Sequence, residues 1–410
     1  MSVGRRSTAV LALGSVVSGL LAYAAFALVT HGLGAADAAP VAVLWTQWML
    51  AAAALTFPLQ HWITRNVASG DEGVVRRAAP GVLVVVVIAS AVLSGLAWLA
   101  REPLFHSDDA WFPVMVGLVT LGSALMGAVR GGLGGRQRFA ALACSLVAEN
   151  ALRAALVAVL LLAGVTDPVA HGLCLTAGPL VAVLWPSSLR FGTGVSGTGG
   201  ADPIPFLTGV AAAQVIGQTV LTGGPVLLAL LGGAPADVTA MFAALALFRA
   251  PYQVALGAVP QLTVQVAQRG TGGLPRPALV IPVAAAVPAL AAVLGAWIGP
   301  GLLRLVFGST VEVGPVAAAC LAAGCAVAVL NLALTVVGLA LNIPGATAAA
   351  WAVAFVVGAV GVAMTSGDDP VTATLTGFLV TEGTALCALA LVALVPARRR
   401  RDRASRTPPA

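Results

Sequence analysis

The 410 residues predict an all-α, polytopic membrane protein, with about twelve transmembrane helices in two six-helix lobes. Three observations carry that expectation. The chain is 59% hydrophobic and 9% charged, with a mean hydropathy of +1.00; a soluble chain of this length has a polar surface to cover and cannot be so apolar. About a dozen apolar stretches each reach the ~20 residues that span a hydrocarbon core. All 21 basic residues are arginine, and 17 of them fall in the terminal segments and alternate gaps between the stretches, against two in the remaining gaps. Short arginine-rich segments stay on the cytoplasmic side, so both termini and the even-numbered gaps are expected inside.

The candidate spans run near 9–30, 40–60, 80–99, 111–129, 139–164, 169–187, 204–231, 239–263, 277–298, 313–341, 344–365 and 371–396. Arg5 and Arg6 precede the first as they would a signal peptide. Its apolar run is too long for a signal h-region, though, and Tyr23-Ala24-Ala25-Phe26 is no cleavage site, so it is expected to stay as a helix,. Asp37 then marks an outer gap, and Arg65, Arg76 and Arg77 an inner one. Arg101, Glu102, Asp108 and Asp109 lie outside, and Arg130, Arg136 and Arg138 inside. Asp167 is outer, and Arg190 begins an inner gap that is rich in Gly and Ser, which is linker chemistry,. Asp237 is outer, Arg269 and Arg276 are inner, and Arg304 and Glu312 are outer. After a very short inner gap, Asp368 and Asp369 are outer, and Arg398-Arg399-Arg400-Arg401 opens the inner tail. No outer loop leaves room for an extracytoplasmic domain.

The expected organisation is an N-lobe over 1–187, a linker over 188–203, a C-lobe over 204–397 and a basic tail over 398–410. A faint echo supports two repeats: LTFPLQHWITRNVASGDEG after span two resembles LGAVPQLTVQVAQRGTGG after span eight, with Pro58 and Pro260 in corresponding places. Parallel repeats joined by an inner linker suit a transporter with its site between the halves.

The residue inventory excludes several chemistries. Without lysine there is no GxxxxGK[ST] phosphate loop,. The cysteines (Cys144, Cys174, Cys320, Cys325, Cys387) lie in apolar runs without CxxC spacing, and the four histidines lack ligand spacing, so no metal, cofactor or catalytic residue is expected,. Beside a membrane helix the basic tail reads as a topology anchor on anionic lipid rather than a nucleic-acid site.

What remains is charge where charge is expensive. Glu149 and Arg153 lie in span five, Arg249 in span eight and Glu382 in span twelve. A central charge costs about 2.5–3.5 kcal/mol on insertion scales, so such residues face a partner or a wet cavity. Glu149 and Arg153 are four apart and stack as an ion pair; they either neutralise each other for passage or act on cargo,. Glu382 is either a proton or cation site or a partner for an arginine. Gln47, Gln214, Gln218, Gln253, Asn331 and Thr335 give several helices a polar face, which suggests either interhelical hydrogen bonds or a wetted interior,.

VRGGLGGRQRFAALACSLVAENALRAAL (129–156) and FPLQHWITRNVASGDEG (57–73) resemble, with the twelve-helix plan, the MOP flippase superfamily in its polysaccharide (Wzx-like) exporter branch. The resemblance implies a MATE-like fold of two six-helix lobes around a central cavity. It also implies a cargo of undecaprenyl-pyrophosphate-linked oligosaccharide, turned from the inner to the outer leaflet by alternating access. Arg153 and Arg249 would then attract the pyrophosphate, with Arg130, Arg136 and Arg138 capturing it at the cytoplasmic mouth. Gln47, Gln214, Gln218, Gln253 and Asn331 would line the cavity, and Glu149 or Glu382 would couple protons or sodium ions. A polysaccharide polymerase and glycosyltransferases are the partners implied. Two rival readings are a multidrug or cation antiporter on the same fold, disfavoured by the lack of an acid over Leu11–Thr30, and a membrane glycosyltransferase or polymerase, disfavoured by the short outer loops.

Overall fold

The computed structural model describes residues 2–193, 216–255, 277–340, 344–367 and 369–404. Every regular element among them is helical. Nine helices among the described residues are long and apolar enough to cross a membrane, and Pro168–Leu184 and Pro235–Phe248 are shorter apolar helices. Part of the expected seventh and eighth spans, most of the linker, Gln214 and Pro260 lie outside the described residues.

Helix α1 is Ser2–Asp37, with a break where Gly34 takes φ 78°, a left-handed conformation that costs a Cβ-bearing residue more,. α2 is Ala39–Ala51 and α3 is Phe57–Ala68; a π-helical turn over Ala52–Thr56 joins them. Pro58 accounts for that turn. It has no N–H for the Ala54 carbonyl and its ring crowds that group, so the helix widens locally instead of ending. α4 is Glu72–Leu99, α5 the short Arg101–Phe105, α6 Trp111–Gly135 and α7 Phe139–Leu162. α8 is Pro168–Ala177, started by the Asp167 carboxylate, which accepts from the N–H groups of Val169 and Ala170.

The sixth span was expected as one continuous helix, but beyond α8 it narrows into 3₁₀ turns over Gly178–Leu184 and Pro186–Leu189. Pro179 and Pro186 interrupt the i→i−4 ladder at those places. Later helices are α9 (Gly224–Leu230), α10 (Pro235–Phe248), α11 (Pro277–Phe307), α12 (Pro315–Ala340), α13 (Pro344–Thr365) and α14 (Pro370–Ala404).

The chain forms two compact units. The first holds residues 1–218 with Pro225–Phe242 and Arg304–Val311, and the second holds Thr219–Gly224, Ala243–Leu303 and Glu312–Ala410. In the first, α6 is the central strut. Its glycines at 127, 131 and 135 recur every four residues and face the π turn and α3: a Cβ on Gly131 would lie 2.7 Å from Ile63 Cβ, and one on Gly127 2.8 Å from the Thr56 carbonyl. Small residues at this spacing let helix backbones approach and pack without a hydrophobic driving force. Ser90 and Ser94 of α4 add hydrogen bonds to the α6 carbonyls of Gly117 (2.8 Å) and Pro113 (2.7 Å).

Segments from late in the sequence also join this unit. Phe26 packs against Trp45, Phe242 and Phe307, with ring centroids 5.6, 4.3 and 5.9 Å away. Thr310 Oγ1 accepts from the Ala35 N–H at 3.1 Å.

In the second unit α14 packs on α12 and α13, again through glycines. A Cβ on Gly324 would strike the Phe378 ring, and one on Gly358 the Thr381 hydroxyl.

Candidate functional site

Two buried polar clusters stand out, one in each unit. In the first, Glu149 and Arg153 form the ion pair that their spacing predicts: Arg153 Nη2 donates to Glu149 Oε1 at 2.5 Å. The other carboxylate oxygen, Oε2, accepts from Nη2 of Arg130, which reaches across from α6. Arg130 also approaches Ser145, with Nε 3.4 Å from its hydroxyl. One carboxylate therefore serves two guanidinium groups, and the cluster keeps a net charge of +1.

Arg153 is 1% exposed, and its contacts show why the site accepts it. Nη1 donates to Asn150 Oδ1 at 3.0 Å, and Asn150 in turn donates to Ser18 of α1 at 2.8 Å. The guanidinium lies over the Trp48 ring, 4.1 Å from its centroid, a cation–π geometry. Nε donates to the Leu175 carbonyl at 3.1 Å. The residue four places on is Pro179, which has no N–H to give that carbonyl; the carbonyl accepts from the Gly178 N–H and offers its second lone pair to Arg153,. Gly178 supplies the space, since a Cβ there would collide with the guanidinium. Gly178 thus makes the vacancy that arginine fills, and the Leu175 carbonyl is shared between the Gly178 N–H and Arg153.

In the second unit, Asn331 of α12 meets Glu382 of α14. Asn331 Nδ2 donates to Glu382 Oε2 at 2.7 Å and to the Glu382 backbone carbonyl at 2.9 Å. Asn331 is 0% and Glu382 1% exposed. Arg249, also buried, lies just past the end of α10.

The other candidate residues are dispersed. Gln218 is buried in the first unit, Gln47 is partly exposed on α2, and Gln253 is exposed in the second unit. The three arginines grouped at the mouth take three different environments. Arg130 turns inward to Glu149. Arg136 ties down the chain around it, donating to Glu72 Oε1 (3.0 Å) and to the carbonyls of Ser187, Ser188 and Arg190. Arg138 is exposed, reaching the Ser187 hydroxyl at 3.3 Å. Trp48, Asn150 and Leu175 were not foreseen as partners of Arg153, nor Ser18 as a partner of Asn150. Asn150 beside Glu149 and the Gly178-Pro179 pair were the available signals. No group of three or more His, Cys, Asp or Glu able to hold a metal occurs among the described residues.

Composition, helix lengths and burial together define a multi-pass helical membrane protein. A scan against protein-family models finds no match, and a comparison with curated proteins finds none either. Solved structures do match, and the fold is that of the MATE transporters of the MOP superfamily. An inward-facing multidrug resistance MATE family transporter aligns over 96% of this chain and 100% of its own, with a TM-score of 0.69 and 12% identity. The eukaryotic MATE transporter AtDTX14 aligns over 97% and 98%, with a TM-score of 0.62 and 14% identity. A MOP superfamily transporter from Pyrococcus furiosus aligns over 98% and 96%, with a TM-score of 0.53 and 12% identity; its description says that a reversed polarity of the binding pocket suggests a different function.

Proposed function

We propose that the protein is a transporter, not an enzyme, in a bacterial cytoplasmic membrane, and that it turns a lipid-linked, pyrophosphate-bearing oligosaccharide from the inner to the outer leaflet by alternating access. The observation that carries this reading is the sign of the buried charge in the first unit. Arg130 and Arg153 share Glu149, so the cluster is cationic and its carboxylate is occupied twice over. An excess positive charge in a low-dielectric interior attracts a pyrophosphate and repels organic cations. The P. furiosus relative supports the idea that pocket polarity in this fold can be reversed along with function.

In this reading Arg153, its Nε, Nη1 and Nη2 all donating to protein acceptors, contributes field rather than direct contact. Arg249 is the proposed direct phosphate ligand, because a guanidinium fork holds phosphate bidentately without losing charge. Arg138 at the exposed turn before α7 is the proposed capture group. Gln47, Gln214, Gln218 and Gln253 are the proposed sugar-binding side chains.

The test is transfer of an undecaprenyl-pyrophosphate oligosaccharide between leaflets in proteoliposomes. Wild type is expected to transfer it, and Arg249→Ala to lose transfer while reaching the membrane in normal amount. Undiminished transfer by Arg249→Ala would remove that residue from the mechanism.

A second reading, a multidrug or cation antiporter, is favoured by the multidrug transporters that share the fold. It predicts uptake of organic cations against a proton gradient and no glycan transfer.

A further inference from the structure

We propose that the groove between α4 and α6 binds a zwitterionic aminophospholipid of the phosphatidylethanolamine class, with an acyl chain in the groove and the headgroup on the α4–α6 connection. The groove follows from how the two helices meet. Ser90 and Ser94 of α4 donate to the carbonyls of Gly117 and Pro113 on α6, so small side chains face each other over these turns and form a low floor. Val87 of α4 and Val114, Leu118 and Leu121 of α6 are exposed and stand up as its rims. The recess amounts to about 260 Å³. Both floor hydroxyls are spent on carbonyls, so the recess presents hydrocarbon. It lies on a face where α4 also exposes Val84, Ile88 and Leu96, and a continuous apolar surface of this kind meets lipid tails.

The same antiparallel pairing decides what stands at the end of the groove. The connection from α4 to α6 begins there, and Arg101 follows Ser94 by seven positions, about 10 Å at 1.5 Å per helical residue,. Arg101 is one of the two arginines that the sequence puts in outer gaps. Its Nη1 donates to the Trp98 carbonyl at 3.2 Å, and the guanidinium lies over the Trp98 ring, 5.1 Å from its centroid. No carboxylate among the described residues forms a salt bridge with it, so its remaining N–H groups can take a phosphate. Glu102, Asp108 and Asp109 stand on the same connection, and none of them forms a salt bridge among the described residues either. One cation beside three carboxylates disfavours a headgroup of net negative charge and suits one that carries phosphate and ammonium together. Trp98 and Trp111 are exposed at this end, as indoles at the headgroup level are.

This site is independent of the cargo, and its test needs none. Native mass spectrometry of the full chain in detergent counts bound phosphatidylethanolamine, phosphatidylglycerol and phosphatidylcholine across a titration of each. Ala91 lines the groove and is exposed, so Ala91→Phe fills the recess without entering the core. Arg101→Gln removes the phosphate contact, and Glu102→Gln with Asp108→Asn removes acceptors for the ammonium. All these positions are at the surface, and an unchanged Tm confirms folding. Wild type is expected to bind one phosphatidylethanolamine about tenfold more tightly than either other lipid, the size of one charge-assisted hydrogen bond. Phosphatidylcholine falls behind because its quaternary ammonium has no N–H to donate. Ala91→Phe and Arg101→Gln should each lose that tight binding, and the acid double variant should bind phosphatidylethanolamine and phosphatidylglycerol alike. Equal binding of the three lipids by wild type, or a preference that survives any of these variants, would overturn the inference. So would a wild-type dimer that Ala91→Phe splits into monomers, because the recess would then join two copies of the chain.

Discussion

Arg153 is a charged side chain in the middle of an apolar helix, and its burial rests on four separate partners: Glu149, Asn150, the Leu175 carbonyl and the Trp48 face. Removing one charge from such a cluster is worse than never having it. Breaking a buried pair typically costs about 3–5 kcal/mol because the remaining charge is stranded. Glu149→Gln leaves two guanidinium groups facing each other, and is expected to lower Tm sharply and reduce the folded fraction in size-exclusion chromatography. Adding Arg130→Gln should restore part of that loss, since it removes one of the two stranded charges. A double variant whose loss equals the sum of the losses of Glu149→Gln and Arg130→Gln would mean that Arg130 and Glu149 are energetically independent. The Glu149–Arg153 pairing was legible in the sequence because i,i+4 spacing forces contact on a helix. The arm from Arg130 was not, since its direction depends on how closely α6 approaches α7. Arg130, Arg136 and Arg138 look equivalent in sequence, yet a side chain six to eight residues along a helix end faces a different neighbour each time.

Helix α6 shows how packing, and not hydrophobicity alone, orders these elements. Its stripe at Gly127, Gly131 and Gly135 presses against the π turn and α3, while Gly81 and Gly95 of α4 would carry a Cβ into open space. Gly131→Leu is expected to cost roughly 1–3 kcal/mol or more through overpacking. Gly95→Ala should be neutral or slightly stabilising, since alanine is the better helix former. Thermal melts of the two variants check this; equal behaviour would mean that the stripe does not hold α3 to α6. Hydropathy found the helical stretches because about 20 apolar residues are needed whatever their packing. It could not find the 3₁₀ turns after α8 or the π turn before α3, which depend on single prolines and on the neighbours that take up the freed carbonyls.

For the molecule as a whole, the all-helical class was readable from composition and span length, both of which the bilayer imposes directly. Twelve percent identity to the inward-facing MATE transporter alongside a TM-score of 0.69 has the same physical root: the fold constrains apolar periodicity and small-residue contacts far more than residue identity. The arginine distribution predicts that the termini lie inside, which accessibility tests. In a chain lacking its five native cysteines, Ser107→Cys is expected to react with a membrane-impermeant maleimide in intact cells, and Gly70→Cys only after permeabilisation. The reverse pattern would invert the topology and, with it, the proposed direction of transfer.

The shared carboxylate at Glu149 also bears on how the chain is made. Arg130 lies toward the end of α6, and its acidic partner Glu149 arrives on α7, which follows it in synthesis. Until then the arginine must reach for lipid headgroups, so α6 alone should settle shallowly in the bilayer. The two helices are expected to mature as a hairpin, with Glu149 drawing Arg130 inward as α7 enters. A nascent chain ending at Gly135 should accordingly sit higher in the membrane, by glycosylation mapping, than the same helix in a chain ending at Leu162.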